Sequence, residues 1–205
     1  MNNARNNFFV LIEQTKTSAV LFQYIQERRI PIDASDLLRW EWVLAVSAFD
    51  KYIHDIIRIG MLEEFLGRRP ETDKYRNFRI NISSFSLMMN SSAPELEFEK
   101  EIIQQLKTNS YQAPEKVADG LSYIWSENHK WRVISSNMRN SISENDLRVK
   151  LNNIVLRRNQ IAHEGDCIPS VFPYQQEVIS EIDTQDVVSF ISELVDAIHV
   201  SVSTI

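Results

Sequence analysis

Leu37-Leu38-Arg39-Trp40-Glu41-Trp42-Val43-Leu44-Ala45-Val46-Ser47-Ala48-Phe49-Asp50-Lys51-Tyr52-Ile53-His54 is the stretch that sets the fold class. Its apolar groups recur at three- and four-residue steps and cover most of a helical circumference. A helix that is apolar nearly all round is buried on several sides. The spacing predicts a central helix over about 35–59, capped by Asp33 or Ser35. Pro31 ends the helix before it. That helix is predicted over 3–29, where Ala4, Phe8, Leu11, Thr15, Ala19, Phe22 and Ile25 follow the same steps.

Beyond the central helix, Gly60 and Gly67 bracket a short apolar turn. Residues 68–93 are the least regular part and read as an irregular insert, either a lid or a connection. Pro94 suits the first turn of a helix to about Lys107, where a missing amide costs nothing. A further helix starts at Pro114, is interrupted near Gly120 and continues through Trp125, Trp131 and Ile134. Tyr123, Trp125 and Trp131 suit a base-stacking platform or a core, and helical spacing favours the core. Ser143, three residues before Asp146, caps a helix over 144–164 that Gly165 stops. A loop with Pro169 and Pro173 follows, then a short helix near 174–180. Asp183 or Thr184 caps a last helix with Val187, Ile191, Leu194, Val195, Ile198 and Val202 as its stripe.

Composition agrees with an all-α protein. Four glycines and six prolines in 205 residues are too few for the many tight turns of an all-β chain. An apolar content of 43% supplies a core, and the length suits a single domain over 1–205. The lone cysteine, Cys167, fits a reducing compartment. Four histidines without an HExxH pattern give no case for a metal site, and no cofactor motif is present. The N-terminus lacks a signal-peptide profile and no apolar run is long enough to span a bilayer, which predicts a soluble, cytoplasmic protein. The net charge of −6 argues against non-specific nucleic-acid binding, but the charge is unevenly spread. From His129 to His163 there are seven Lys/Arg against two acids. From Glu164 onward there are eight acids and neither Lys nor Arg. A locally basic helix suits an anion; it also suits an ordinary solvated face.

That helix ends in Arg157-Arg158-Asn159-Gln160-Ile161-Ala162-His163-Glu164-Gly165-Asp166. At about one hundred degrees per residue, Asn159 and His163 share a narrow arc, and the stem of Arg158 reaches towards them. An imidazole moves protons near neutral pH, a guanidinium steadies phosphoryl charge, and an amide orients an oxygen. Together they suffice for metal-free RNA cleavage by 2′-hydroxyl attack. The plainer alternative is a helix-end histidine beside solvated arginines. Asp50 and His54, four apart on the central helix, are either a functional pair or an ordinary helix pair. Arg157 or Arg158 is a candidate partner for either of them if buried.

Arg158-Asn159-Gln160-Ile161-Ala162-His163 resembles the arginine–polar–histidine signature of the HEPN superfamily. Leu37 to His54, the pair Lys130-Trp131, the run Arg157 to Asp166 and Asp183 to Val188 resemble its RiboL-PSP-HEPN branch. The resemblance spans about 35–200. It implies an all-helical bundle, usually dimeric, in which the Arg/His helices of two subunits form a composite cleft. It implies a metal-independent endoribonuclease of toxin–antitoxin, antiphage or RNA-processing systems, with an antitoxin or defence-system protein as a further partner. By that match Arg158, Asn159 and His163 are catalytic; the locally basic helix makes Arg157, Lys150 and Arg148 the candidates for RNA phosphates, and Asp50 and His54, on the helix expected beside the cleft, are supporting candidates. Toxins silenced by nucleotidylation carry a tyrosine two residues after the histidine, where this chain has Gly165. Some members keep the fold as non-catalytic modules binding RNA, nucleotide or protein. A third reading makes the acidic C-terminal part a dock for a cationic partner.

Overall fold

In the computed structural model, residues 1–203 are described and fold as a helical bundle. The helices are α1 (Asn2–Glu27), α2 (Ser35–Phe65), α3 (Asp73–Arg76), α4 (Ile82–Asn90), α5 (Pro94–Leu106), α6 (Pro114–Leu121), α7 (Lys130–Ser136), α8 (Glu144–Glu164) and α9 (Glu181–Ser203). The single β-type pairing among the described residues is an isolated bridge between Cys167 and Gln176.

α2 is the axis of the bundle, and α1, α5, α6, α8 and α9 pack around it. Most of its circumference is buried, with Ala45, Val46, Phe49, Ile53, Ile56, Ile57 and Met61 almost wholly inaccessible, and a narrower strip through Trp40 and Lys51 meets solvent. Burying each of the valine, isoleucine, phenylalanine and methionine side chains among them contributes about 1.5–3 kcal/mol. The same apolar surround that makes α2 unambiguous as sequence therefore also makes it the main source of cohesion.

Gly60 does not break this helix, which runs on to Phe65. A Cβ at Gly60 would lie 2.5 Å from Cγ2 of Ile124, so the glycine is there to admit a neighbour. Gly120 does the same from the other side, where a Cβ would meet Cδ1 of Ile57 at 2.7 Å. The helix starting at Pro114 is not continuous either. α6 stops at Leu121 and α7 starts only at Lys130, each helix directing its own aromatic or aliphatic groups into the core. Trp125 and Trp131 are both buried there, and Trp131 donates its indole N–H to the carbonyl of Pro114 at 3.3 Å.

Residues 68–93 are more ordered than their sequence predicts, because distant backbone groups hold them. Arg69 is buried and donates to the carbonyls of Ile124 (3.2 Å) and Val202 (2.9 Å). The Thr72 hydroxyl accepts from the amide of Tyr75 and so caps α3. α4 then packs on α5, where Ser84 donates to Glu101 at 2.6 Å. Near the C-terminus, 174–180 is not helical: Ile168 and Glu177 donate to the carbonyls of Gln175 and Asp166, which makes a short hairpin-like flap. α9 is capped one turn earlier than predicted, by the Ser180 hydroxyl accepting from the amide of Asp183 at 3.1 Å.

The same anchored segment carries a pH-dependent group. Glu64 is buried and accepts from the amide of Thr72 at 3.1 Å through one oxygen, while the other has no partner. Burial pushes its carboxyl up to about 7. A raised carboxyl favours the protonated fold, so its contribution is full below about 4.5 and is lost as pH rises through about 7. Melting temperatures measured at pH 5 and pH 8 should therefore differ less in Glu64→Gln than in the wild type. An equal or larger difference in the variant would refute this assignment.

Candidate functional site

The end of α8 is fixed by its own sequence and by α2. Ser143 caps its start, the hydroxyl accepting from the amide of Asp146 at 3.1 Å. Leu147, Leu151, Ile154 and Val155 face inward. Trp42 on α2 donates its indole N–H to the carbonyl of Ile154 at 3.1 Å. Gly165 ends the helix with φ 64°, and Asp166 follows in the same left-handed region with φ 58°. The amides of both turn back on the carbonyl of Gln160. Glycine adopts this conformation freely and aspartate is among the few other residues that tolerate it.

Asp166 then becomes the hub of a buried ion cluster. Its side chain is wholly inaccessible. Its Oδ2 accepts from Nε of Arg39 at 2.9 Å and from Nη2 of Arg157 at 2.8 Å. Nε of Arg157 stands 2.7 Å from Oδ1, an ion-pair distance without a well-directed N–H. Arg39 also donates to the Ser35 hydroxyl (2.6 Å) and to the carbonyl of Glu177 (2.8 Å). Paired and hydrogen-bonded in this way, the buried charges are tolerated. The cluster joins α2, the last turns of α8 and the flap.

On the other flank of α8 lies an open cavity of about 360 Å³. Its walls are the 108–113 loop, Lys116 and Asp119 from α6, and Val155, Arg158 and Asn159 from α8. Arg158 donates from Nη1 to the Asn159 side-chain oxygen at 2.9 Å, so guanidinium and amide present one polar surface. Arg158 has no carboxylate partner among the described residues, and its Nε is buried without a hydrogen bond. Asp119 is neutralised by Lys74 at 2.5 Å, which leaves Lys116 and Arg158 as the cations of this cavity.

Asp50 and His54 do not pair with each other or with an arginine. Both hold the loop that forms the cavity wall. Asp50 accepts from the amide of Tyr111 at 2.6 Å. His54 Nε2 lies 3.1 Å from the carbonyl of Asn109, which can only accept, so Nε2 carries the proton. The His54 ring also stands edge-on to Tyr111 at 4.7 Å.

The remaining basic residues are dispersed. Arg157 sits on the opposite flank, committed to Asp166 and over the Trp42 ring. Lys150 shares that flank, its ammonium 4.7 Å from the Phe190 ring centroid. Arg148 pairs with Glu115 on α6 at 3.1 Å, ten residues or about 15 Å from Arg158 along the helix. The three do not converge with Arg158, because α8 turns them to separate neighbours. His163 is one turn beyond Asn159, exposed, and makes no hydrogen bond or ion pair with another described residue. It does not line the cavity within one chain.

Sequence reasoning passed over Asn109, Ser110, Tyr111 and Lys116, which shape the far wall. It also passed over the Arg39–Asp166 pairing. No local pattern marks either, since their partners lie far away in the chain. None of residues 68–93 lines the cavity.

An axial apolar helix, a second helix whose last turns carry an arginine, an amide and a histidine, and a closing helix packed on the first define a class of all-α domains. The chain belongs to the RiboL-PSP-HEPN family, whose sequence model matches residues 11–204. No curated protein and no solved structure matches the chain. No helix among the described residues is long and apolar enough to cross a membrane.

Proposed function

We propose that the domain is an endoribonuclease acting as a homodimer, with Arg158, Asn159 and His163 at the reacting phosphate. The observation that carries the reading is the state of Arg158. Among the described residues it meets no carboxylate, and it is held against Asn159 and open to a cavity, whereas Arg39, Arg148 and Arg157 are each bound to an acid. A guanidinium so placed is available for a phosphodiester.

In the reaction the ribose 2′-oxygen attacks phosphorus and the bond from phosphorus to the 5′-oxygen breaks. The 2′-hydroxyl proton passes to a base and the leaving oxygen takes a proton from an acid, which leaves a 2′,3′-cyclic phosphate and a 5′-hydroxyl. His163 suits proton transfer. Arg158 stabilises the charge on the phosphoryl oxygens, with Lys116 beside it, and Asn159 orients the substrate. Asp50 and His54 act through the 108–113 wall. No electron or group donor is needed for this balance.

The dimer reading rests on the outer face of α8. Val149 and Leu156, 49% and 58% exposed, are seven residues apart and His163 is seven further on, which places all three on one face. A second copy packed there covers the apolar groups and brings two His163 side chains together. A role in growth arrest or defence, with a protein partner that restrains the activity, accords with the family.

The test is incubation of the purified protein with single-stranded RNA in EDTA, with analysis of the fragment ends and light scattering of the protein. Cyclic phosphate and 5′-hydroxyl ends from a dimeric wild type are expected. Intact RNA that is nonetheless bound would make the domain a binding module and overturn the ribonuclease reading. Expression in a host should arrest growth with wild type and not with Arg158→Ala.

A further inference from the structure

The flap after α8 carries features that the cleavage chemistry does not use. Between the bridged residues Cys167 and Gln176 the sequence has no charged residue. Its tip presents Phe172 and Tyr174, 91% and 81% exposed, either side of Pro173. Single exposed apolar residues are ordinary on a protein surface. Two aromatics on one neutral tip, on a backbone held at its base, form a defined surface instead.

The base is held to the catalytic end of α8. The Gln160 side-chain amide donates to the carbonyl of Cys167 at 3.3 Å, and that of Gln176 to the carbonyl of Gly165 at 2.9 Å. The amide of Glu177 donates to the carbonyl of Asp166 at 2.8 Å. Arg39 donates to the carbonyl of Glu177, and Arg157 to that of Val178 at 3.2 Å. The Arg39–Asp166–Arg157 cluster therefore fixes both the last turn bearing His163 and the root of the flap.

We infer that Phe172 and Tyr174 stack on unpaired nucleobases of the RNA flanking the cleaved phosphate, which makes the flap tip a base-binding subsite. The inference rests on the ribonuclease reading above. Aromatic faces bind bases without regard to sequence, and absence of charge on the tip avoids repelling the backbone in an otherwise acidic C-terminal part. Bases already stacked in a duplex offer no free face, so the subsite selects single-stranded or looped RNA.

The experiment measures binding to the catalytically silent His163→Ala protein by fluorescence anisotropy, with a labelled mixed-sequence single-stranded RNA, the same strand in a duplex, and an oligomer with abasic sites. Phe172→Ala/Tyr174→Ala in that background should weaken single-strand binding roughly tenfold, about 1.4 kcal/mol, and leave duplex and abasic binding unchanged. Phe172→Tyr/Tyr174→Phe should restore it. Equal single-strand affinity in the parent and the alanine variant would overturn the base-binding subsite. So would a loss shared by all three probes, or an alanine variant that turns monomeric by sedimentation, since the tip would then be a contact between copies. Cleavage by the otherwise wild-type chain decides the ribonuclease reading separately: RNA cut normally by Phe172→Ala/Tyr174→Ala leaves that reading standing while the subsite fails.

Discussion

Asp166→Ala is expected to destabilise the protein by about 3–5 kcal/mol, as removal of one partner from a buried ion cluster does. The carboxylate is wholly inaccessible, and without it the Arg39 guanidinium, itself only 6% exposed, keeps as counter-charge only the solvent-exposed Asp36, 3.2 Å from Nη1. Arg157 is less enclosed and can turn outward, so the larger share of the cost falls on Arg39. A domain of this size is stable by only about 5–15 kcal/mol, so the variant should approach the point at which it no longer folds at growth temperature. Urea unfolding followed by tryptophan fluorescence measures the loss. Asp166→Asn should lie between wild type and alanine, because an amide oxygen still accepts from one arginine but brings no charge. A loss below about 1 kcal/mol for Asp166→Ala would show that the arginines reach water in the native state.

The same cluster shows what a sequence does and does not disclose. α2 was legible because burial over most of its circumference leaves a run of apolar residues that needs no knowledge of its neighbours. α8 was legible from both ends, through Ser143 and Gly165, whose roles are local. The extension of α2 past Gly60 was not, since a glycine that ends a helix and a glycine that admits Ile124 look alike until the neighbour is in place. The order in 68–93 depends on Arg69 reaching the carbonyls of Ile124 and Val202, which are remote in sequence. At the candidate site Arg158 meets Asn159 while His163 stands outside their cavity within one chain, which angular position on α8 alone does not decide. Nor could that position show that Arg157 is bound to Asp166, because the left-handed turn at Gly165 and Asp166 brings that carboxylate back along the helix. Asp50 and His54 were identified as residues needing partners. Those partners are main-chain groups of the 108–113 loop, and a main-chain group has no sequence signature.

Arg157 and Arg158, adjacent and chemically identical, should therefore fail in different ways when replaced. Under the ribonuclease reading, His163→Ala is expected to lower the single-turnover cleavage rate by about 10²–10⁴-fold, the range for loss of a general acid or base. Arg158→Ala should cost a comparable factor by withdrawing the charge that faces the phosphoryl oxygens. Arg158→Lys should recover little of it, because an ammonium on a flexible stem does not reproduce the planar fork held against Asn159. Both alanine variants should retain the wild-type unfolding midpoint, since neither side chain has an ion-pair partner among the described residues to strand. Arg157→Ala should do the reverse. It removes one of the two cations on the buried carboxylate and lowers the unfolding midpoint, yet each molecule that remains folded should cleave at close to the wild-type rate. Rates normalised to folded protein, with midpoints from the same preparations, separate the two effects. If Arg157→Ala abolishes cleavage at an unchanged midpoint, or Arg158→Ala lowers the midpoint at an unchanged rate, the roles assigned to the two flanks of α8 are wrong. The distinction has a physical origin: a guanidinium bound to a buried carboxylate has its charge compensated within the fold, and one lying open beside an amide has it available for a substrate.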